Sequence, residues 1–226
     1  DTETKVNAKA LYPYEVVAKA LEAMGVRNSC WGYSSRGAQS MDSTDRLMVN
    51  KYWDNLADYF NGATFNGLAV VDTSGSMCGS EASAPINVAI SLGLYCAEKA
   101  KGPFAGHYVS FASRPQLIST EGVDFVDKVY RIYKTNLVDN TNIEATFDLI
   151  LNTAVNNHCT QDDLPQNIVI ISDMEFDCCA RGAELTNFEY AKKIFAEAGY
   201  DLPRVVFWNV QSRNKQQPVT QNEQGV

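Results

Sequence analysis

Residues 72–76, Asp-Thr-Ser-Gly-Ser, set one carboxylate and two hydroxyls at alternate positions of a short segment. Asp72, Ser74 and Ser76 offer only hard oxygen donors. Such a set suits Mg²⁺, admits Mn²⁺ or Ca²⁺ less sharply, and does not suit Zn²⁺. Mg²⁺ takes about six oxygens in near-octahedral array at about 2.0–2.1 Å. Three side chains fall short of that number, so other segments must contribute. Asp173 ends the apolar run Asn167–Asp173 (NIVIISD), and Thr141 stands in Asp139-Asn140-Thr141-Asn142, just before a helical pattern. Both are candidate ligands. Glu175 and Asp177 follow Asp173 closely; they read either as outer carboxylates that tune the ligands or as a solvated acidic loop. The plainer reading of the first segment is local: Asp72 caps a helix and the two serines form a turn.

Other chemistry finds little support. There is no G-x-S-x-G elbow and no G-x-x-x-x-G-K-[ST] loop. Ser74 has no histidine base near it in sequence. His107 falls in a strand pattern and His158 at a helix end, so both read as structural. Cys78 lies two residues past Ser76, but Mg²⁺ does not favour thiols, so it is not taken as a ligand. The six cysteines (Cys30, Cys78, Cys96, Cys159, Cys178, Cys179) form no C-x-x-C pair and match no secreted framework. They read as free thiols in a reducing compartment, which points to a cytoplasmic protein.

These candidate ligands need a scaffold. From Gly62 onward, short apolar runs alternate with helical patterns. Strands are expected at Gly67–Asp72 (GLAVVD), His107–Ala112, Gln116–Ser119, Asn167–Asp173 and Arg204–Val210. Helices are expected at Pro85–Lys101, Asp124–Lys134, Ile143–Asn157 and Phe188–Gly199. That alternation implies parallel pairing through right-handed crossovers. NIVIISD lacks polar alternation and should be buried on both faces. The fold class is therefore α/β, a doubly wound, mainly parallel sheet flanked by helices. In such a sheet ligands bind beyond the carboxyl ends of the strands, where the strand order reverses. Asp72 and Asp173 would both arrive at that edge.

The first sixty residues read differently. A helix starting near Pro13 carries Val16, Val17, Ala20, Leu21 and Met24, with Gly25 as its stop. Residues 28–42 read as loop. A second helix is expected from Thr44 to Phe60, capped by Asp42 or Ser43, with Leu47, Trp53, Leu56, Ala57 and Phe60 as its buried stripe. Residues 1–61 are thus a helical extension, or the end of a preceding helical domain, and 62–226 a second unit. Residues 211–226 are polar and read as loop. The chain begins at Asp1 rather than Met, and its end at Val226 carries no capping signal, which points to a further strand and helix beyond.

The chain of 226 residues is 45% hydrophobic and 20% charged, enough for a sizeable core. No stretch approaches about 18 uninterrupted apolar residues, so no transmembrane helix is expected, and no signal-peptide pattern opens the chain. A formal charge of −8 disfavours a bare nucleic-acid surface.

The set of candidate ligands resembles the von Willebrand factor A and integrin inserted-domain family. That family carries Asp-x-Ser-x-Ser after an apolar strand, then a distant Thr and a distant Asp. The chain matches in order at Asp72, Ser74, Ser76, Thr141 and Asp173, over residues 62–210. The resemblance implies a metal-ion-dependent adhesion site (MIDAS) holding Mg²⁺. Ser74, Ser76 and Thr141 would touch the ion, and Asp72 and Asp173 would act largely through water. One coordination position would stay open for an acidic group of a protein partner, a role in binding and not in turnover. A metal-dependent hydrolase is the minor alternative. The phrases VVDTSGSM, ISDMEFD and VFWNV also resemble the A domains of Ro (TROVE) autoantigen-like proteins and of related phage, bacterial and plant proteins. That narrower resemblance implies the C-terminal domain of a ribonucleoprotein component, with RNA bound only through the full-length protein, and a final strand after Gly225.

Overall fold

The computed structural model describes residues 11–26, 41–135, 140–174 and 183–211. Two helices come first, α1 (Pro13–Ala23) and α2 (Ser43–Asp54). An alternating series follows: β1 (Gly67–Asp72), α3 (Pro85–Lys99), β2 (His107–Phe111), β3 (Leu117–Ser119), α4 (Phe125–Thr135), α5 (Ile143–Asn156), β4 (Asn167–Ser172), α6 (Ala183–Glu197) and β5 (Arg204–Asn209). The sheet runs β3-β2-β1-β4-β5. All its pairings are parallel except β2 with β3, a hairpin at one edge. The fold is α/β, with a mostly parallel sheet between helical layers, consistent with a doubly wound sheet.

Strand periodicity divides the core in two. Along β1, Leu68 and Val70 face α5 and α6, while Ala69 and Val71 face α1, α3 and α4. β4 does the same with Ile168 and Ile170 against Val169 and Ile171. Both strands are therefore buried on both sides, as their unbroken apolar runs require.

Helix α3 is buried almost all round rather than along one stripe, because the sheet lies under it and α1 over it. Gly93 makes this possible: a Cβ there would lie 2.4 Å from Cγ2 of Val71. The helix thus rests directly on the strand that delivers Asp72.

The described N-terminal helices join the same core. Val16, Val17, Ala20, Leu21 and Met24 of α1 are buried with α3, and Trp53 of α2 stacks on Phe125 at 4.2 Å. The Trp53 indole donates to Glu98 at 2.9 Å. Arg46 makes a bidentate pair with Asp124 (2.7 and 2.8 Å), which also accepts from Asn50.

Helix α2 is capped by Asp42, as expected, but ends at Asp54 and not at Phe60. The Asn55 amide bonds back to the Lys51 carbonyl, and Asp58 then gathers the backbone N–H groups of Phe60 and Gly62 into a tight turn. Of the expected buried stripe, Trp53 goes inward together with Val49, and Leu56 and Phe60 pack half-buried against the core, while Leu47 is 55% exposed and Ala57 is exposed. Helix α6, conversely, starts five residues before the expected Phe188, at Ala183. The expected loop at 28–42, apart from 41–42, and the polar tail from 212 lie outside the described residues.

Candidate metal centre

Chain order reverses in the sheet between β1 and β4: from β1 the chain crosses to β2 on one side, and it returns to β4 on the other. The crevice beyond these two carboxyl ends is where a doubly wound sheet binds ligands. Asp72 ends β1, and Asp173 directly follows β4. Both are buried, at 0% and 3% exposure.

The register explains how the two strand ends meet. Val71 pairs with Ile171, so Asp72 comes level with Ser172. Both continue the parity of Val70 and Ile170 and project to the same face. The Ser172 hydroxyl donates to Asp72 Oδ2 at 2.5 Å and accepts from the Met174 N–H at 3.0 Å. Met174 has φ of 64°, in the left-handed region that non-glycine residues seldom occupy, and turns the chain sharply after Asp173.

Asp72 Oδ1 accepts the Ser74 N–H at 2.8 Å. The local turn reading is therefore realised, but it accounts for only one of the two oxygens. Ser74 then caps a 3-10 turn at Gly75–Met77, anchored by Met77, which is fully buried. That turn brings the Ser74 and Ser76 hydroxyl oxygens to 3.1 Å from one another, with both residues partly exposed at the crevice.

This spacing provides a test of fit. Two neighbouring ligands of an octahedral ion at about 2.1 Å lie about 3.0 Å apart. The serine pair already has that separation. Desolvation by burial raises the Asp72 carboxyl above its ordinary value, and the nearby Asp173 charge adds to this, while hydrogen bonds from Ser172 and Ser74 oppose it. A cation in the crevice would offset the electrostatic cost of two neighbouring buried carboxylates. The donor set thus fits a hard divalent ion, which Ser74 and Ser76 would hold directly and the two carboxylates through water. The described residues contain no cluster of three or more His, Cys, Asp or Glu side chains; the candidate site has two carboxylates and takes its remaining oxygens from hydroxyls.

Thr141 is half-buried, immediately before Asn142, whose side chain caps α5 by accepting from the Ala145 N–H. Helix α5 runs back to the start of the parallel strand β4, so its N-terminus belongs to the edge where Asp72 ends. Asp139 lies outside the described residues, as do Glu175 and Asp177. Sequence reasoning missed Ser172. Its signal was present in the period-two placement of Ser172 on the Asp72 face, but a hydroxyl inside an apolar strand carries no motif.

The cysteine reading needs one correction. Cys96 and Cys159 are free thiols, but Cys78 is disulfide-bonded. Cys30, Cys178 and Cys179 lie outside the described residues. Spacing along the chain does not report which sulfurs approach in space, and that is why six free thiols were expected. His107 is structural, its ring Nδ1 lying 2.9 Å from the Ala105 carbonyl oxygen. His158 sits just past α5 with φ of 52°.

Residues 66–226 match the family described as a domain of unknown function, DUF7788, and the chain belongs to that family. It is also similar to Uncharacterized protein L728 of Acanthamoeba polyphaga mimivirus, 33% identical over 226 residues. That alignment covers 99% of this chain but 36% of the viral protein, so the chain spans about a third of its relative's length.

Proposed function

We propose that this chain is a von Willebrand factor A-like binding module that captures an acidic side chain of a protein partner through a MIDAS-type Mg²⁺. Mn²⁺ or Ca²⁺ would be accepted less well. The observation that carries the reading is the 3.1 Å approach of the Ser74 and Ser76 hydroxyls beside two buried carboxylates, at the strand-order reversal. Ser74, Ser76 and Thr141 would contact the ion, and Asp72 and Asp173 would hold its waters. Mostly neutral direct ligands leave the ion electrophilic toward a carboxylate. The activity is capture, not turnover.

No described helix is long and apolar enough to cross a membrane. A cytoplasmic setting is supported by the free thiols of Cys96 and Cys159, and the disulfide at Cys78 weighs against it.

Thermal melting with Mg²⁺ and with EDTA tests the site, because a ligand of the folded state raises its apparent stability. Mg²⁺ should raise the Tm of the wild type, and Asp173→Ala should abolish the rise. An identical Tm in Mg²⁺ and EDTA for the wild type would remove the metal reading. RNA retained by a longer protein containing this chain, but not by the chain itself, would favour the ribonucleoprotein role.

A further inference from the structure

The carboxyl end of β5 adjoins the proposed metal crevice. Asn209 pairs with Ser172, and the Val210 N–H donates to the Ser172 carbonyl at 3.0 Å. The end of β5 is therefore held level with the ends of β4 and β1. Trp208 stands there, paired with Ile171. It shares the parity of Val206 and Val210, which pack half-buried against the core that contains Met77. Trp208 thus lies on the same side of the sheet as the turn that carries Ser74 and Ser76. Yet Trp208 is 47% exposed, and among the described residues none stacks on its indole or takes its N–H. Single exposed apolar residues are ordinary. This one is a tryptophan on a rigid strand, one strand away from Asp173, and aromatic side chains of that kind carry a large share of binding energy at interfaces.

We propose that Trp208 is the second contact of the ligand site, and that the partner presents an extended segment with an acidic residue and a large apolar residue two or three positions apart. The inference rests on the metal reading above: the ion takes the carboxylate and Trp208 covers the apolar neighbour. The spacing follows from the sheet. Two strand separations of about 4.8 Å set β5 about 10 Å from β1. An extended peptide advances about 3.3 Å per residue, so two or three residues bridge that span. The apolar contact also supplies selectivity, since an ion alone accepts any accessible carboxylate. The formal charge of −8 repels acidic segments at long range, and an uncharged contact beside the ion offsets that repulsion.

Titration of the 226-residue chain in Mg²⁺ with capped glycine peptides tests this. Each peptide carries one Glu. Four also carry a Leu, placed two or three positions before or after it, and the parent carries none. At least one Leu peptide should bind about 10-fold more tightly than the parent, and EDTA should abolish binding of both. Trp208→Thr, which keeps a strand-forming residue at the position, should erase that advantage while leaving parent affinity and the Mg²⁺-dependent rise in Tm unchanged. A wild type whose Tm rises with Mg²⁺ but which binds no Leu peptide better than the parent would overturn the role of Trp208 and spare the metal site. Leu-peptide binding that survives EDTA would overturn the link between the two contacts. A Trp208→Thr chain that melts in EDTA far below the wild type would assign the indole to the protein's own core and overturn the proposal. A wild type with no response to Mg²⁺ would overturn both readings.

Discussion

The Ser172 hydroxyl donates to Oδ2 of Asp72 across 100 residues of chain and takes the Met174 N–H in return. This serine closes the carboxyl ends of β1 and β4 over one another and orients the carboxylate. Ser172→Ala removes a partner from a buried carboxylate and leaves the Met174 N–H without its acceptor. An unmet buried polar group costs about 1–3 kcal/mol. We expect Ser172→Ala to lose about that much stability by urea unfolding, and to shrink the Mg²⁺-dependent rise in Tm. A variant with the wild-type midpoint and an unchanged response to Mg²⁺ would show that Ser172 is a passive part of the strand.

The raised Asp72 carboxyl has a definite consequence for pH dependence. Its folded pKa lies above the unfolded value of 3.8, so the folded chain binds more protons in the window between the two. Stability then falls as pH rises through that window, and the penalty persists at neutral pH. Asp72→Asn removes the charge and retains hydrogen-bonding capacity, since Ser172 can rotate its hydroxyl to accept from an amide. In EDTA at pH 7 this variant should melt above the wild type, and the difference should close as pH falls toward the ordinary carboxylate range. In Mg²⁺ the variant should show no rise. Melting curves of the pair in EDTA between pH 4 and pH 8 decide the matter; an Asn variant that is less stable throughout would mean that the carboxylate stabilises the fold without metal.

Much of this architecture could be read from the residues alone. Every strand from Gly67 onward, and three of the four helices there, were expected within a few residues of their observed limits, because buried parallel strands are written as unbroken apolar runs. The site's first turn was legible for the same reason: Asp72 ends such a run. What escaped depended on contacts distant in sequence. The early stop of α2 follows from the Asp58 turn, which hydrophobic spacing does not encode. The burial of α3 on all sides came from α1 lying over it, although the helix itself reads as ordinary. The meeting of Ser172 with Asp72 is a product of three-dimensional adjacency, and only the strand register reveals it.

Gly93 controls how closely α3 sits on β1. Substituting alanine in a helix interior gains about 1 kcal/mol from backbone entropy. The new methyl would lie 2.4 Å from Cγ2 of Val71, a side chain with no exposure and no free space to move into. Overpacking of this kind costs about 1–3 kcal/mol, so the clash should outweigh the propensity gain. Gly93→Ala should lower the midpoint of urea unfolding and, by pushing α3 outward, weaken the Mg²⁺ response of the adjoining Asp72 turn. A net gain in stability would mean that helix and strand separate without cost.

Val16, Val17, Ala20 and Leu21 of α1 and Trp53 of α2 are buried against α3 and α4. Each large apolar side chain contributes roughly 1.5–3 kcal/mol on burial, and a whole domain has only about 5–15 kcal/mol of net stability. Removing residues 1–61 would uncover the apolar surface of α3 that α1 covers and would take away the partner of Phe125. We therefore expect residues 62–226 alone to aggregate or to lack a cooperative unfolding transition. The milder Trp53→Ala should lose about 3–5 kcal/mol while remaining folded if the starting stability exceeds that loss. Circular dichroism and size-exclusion chromatography of the shortened chain provide the check. A monomeric fragment that unfolds cooperatively at the Tm of the full chain would place the folding boundary at residue 62 and reduce α1 and α2 to a separable layer.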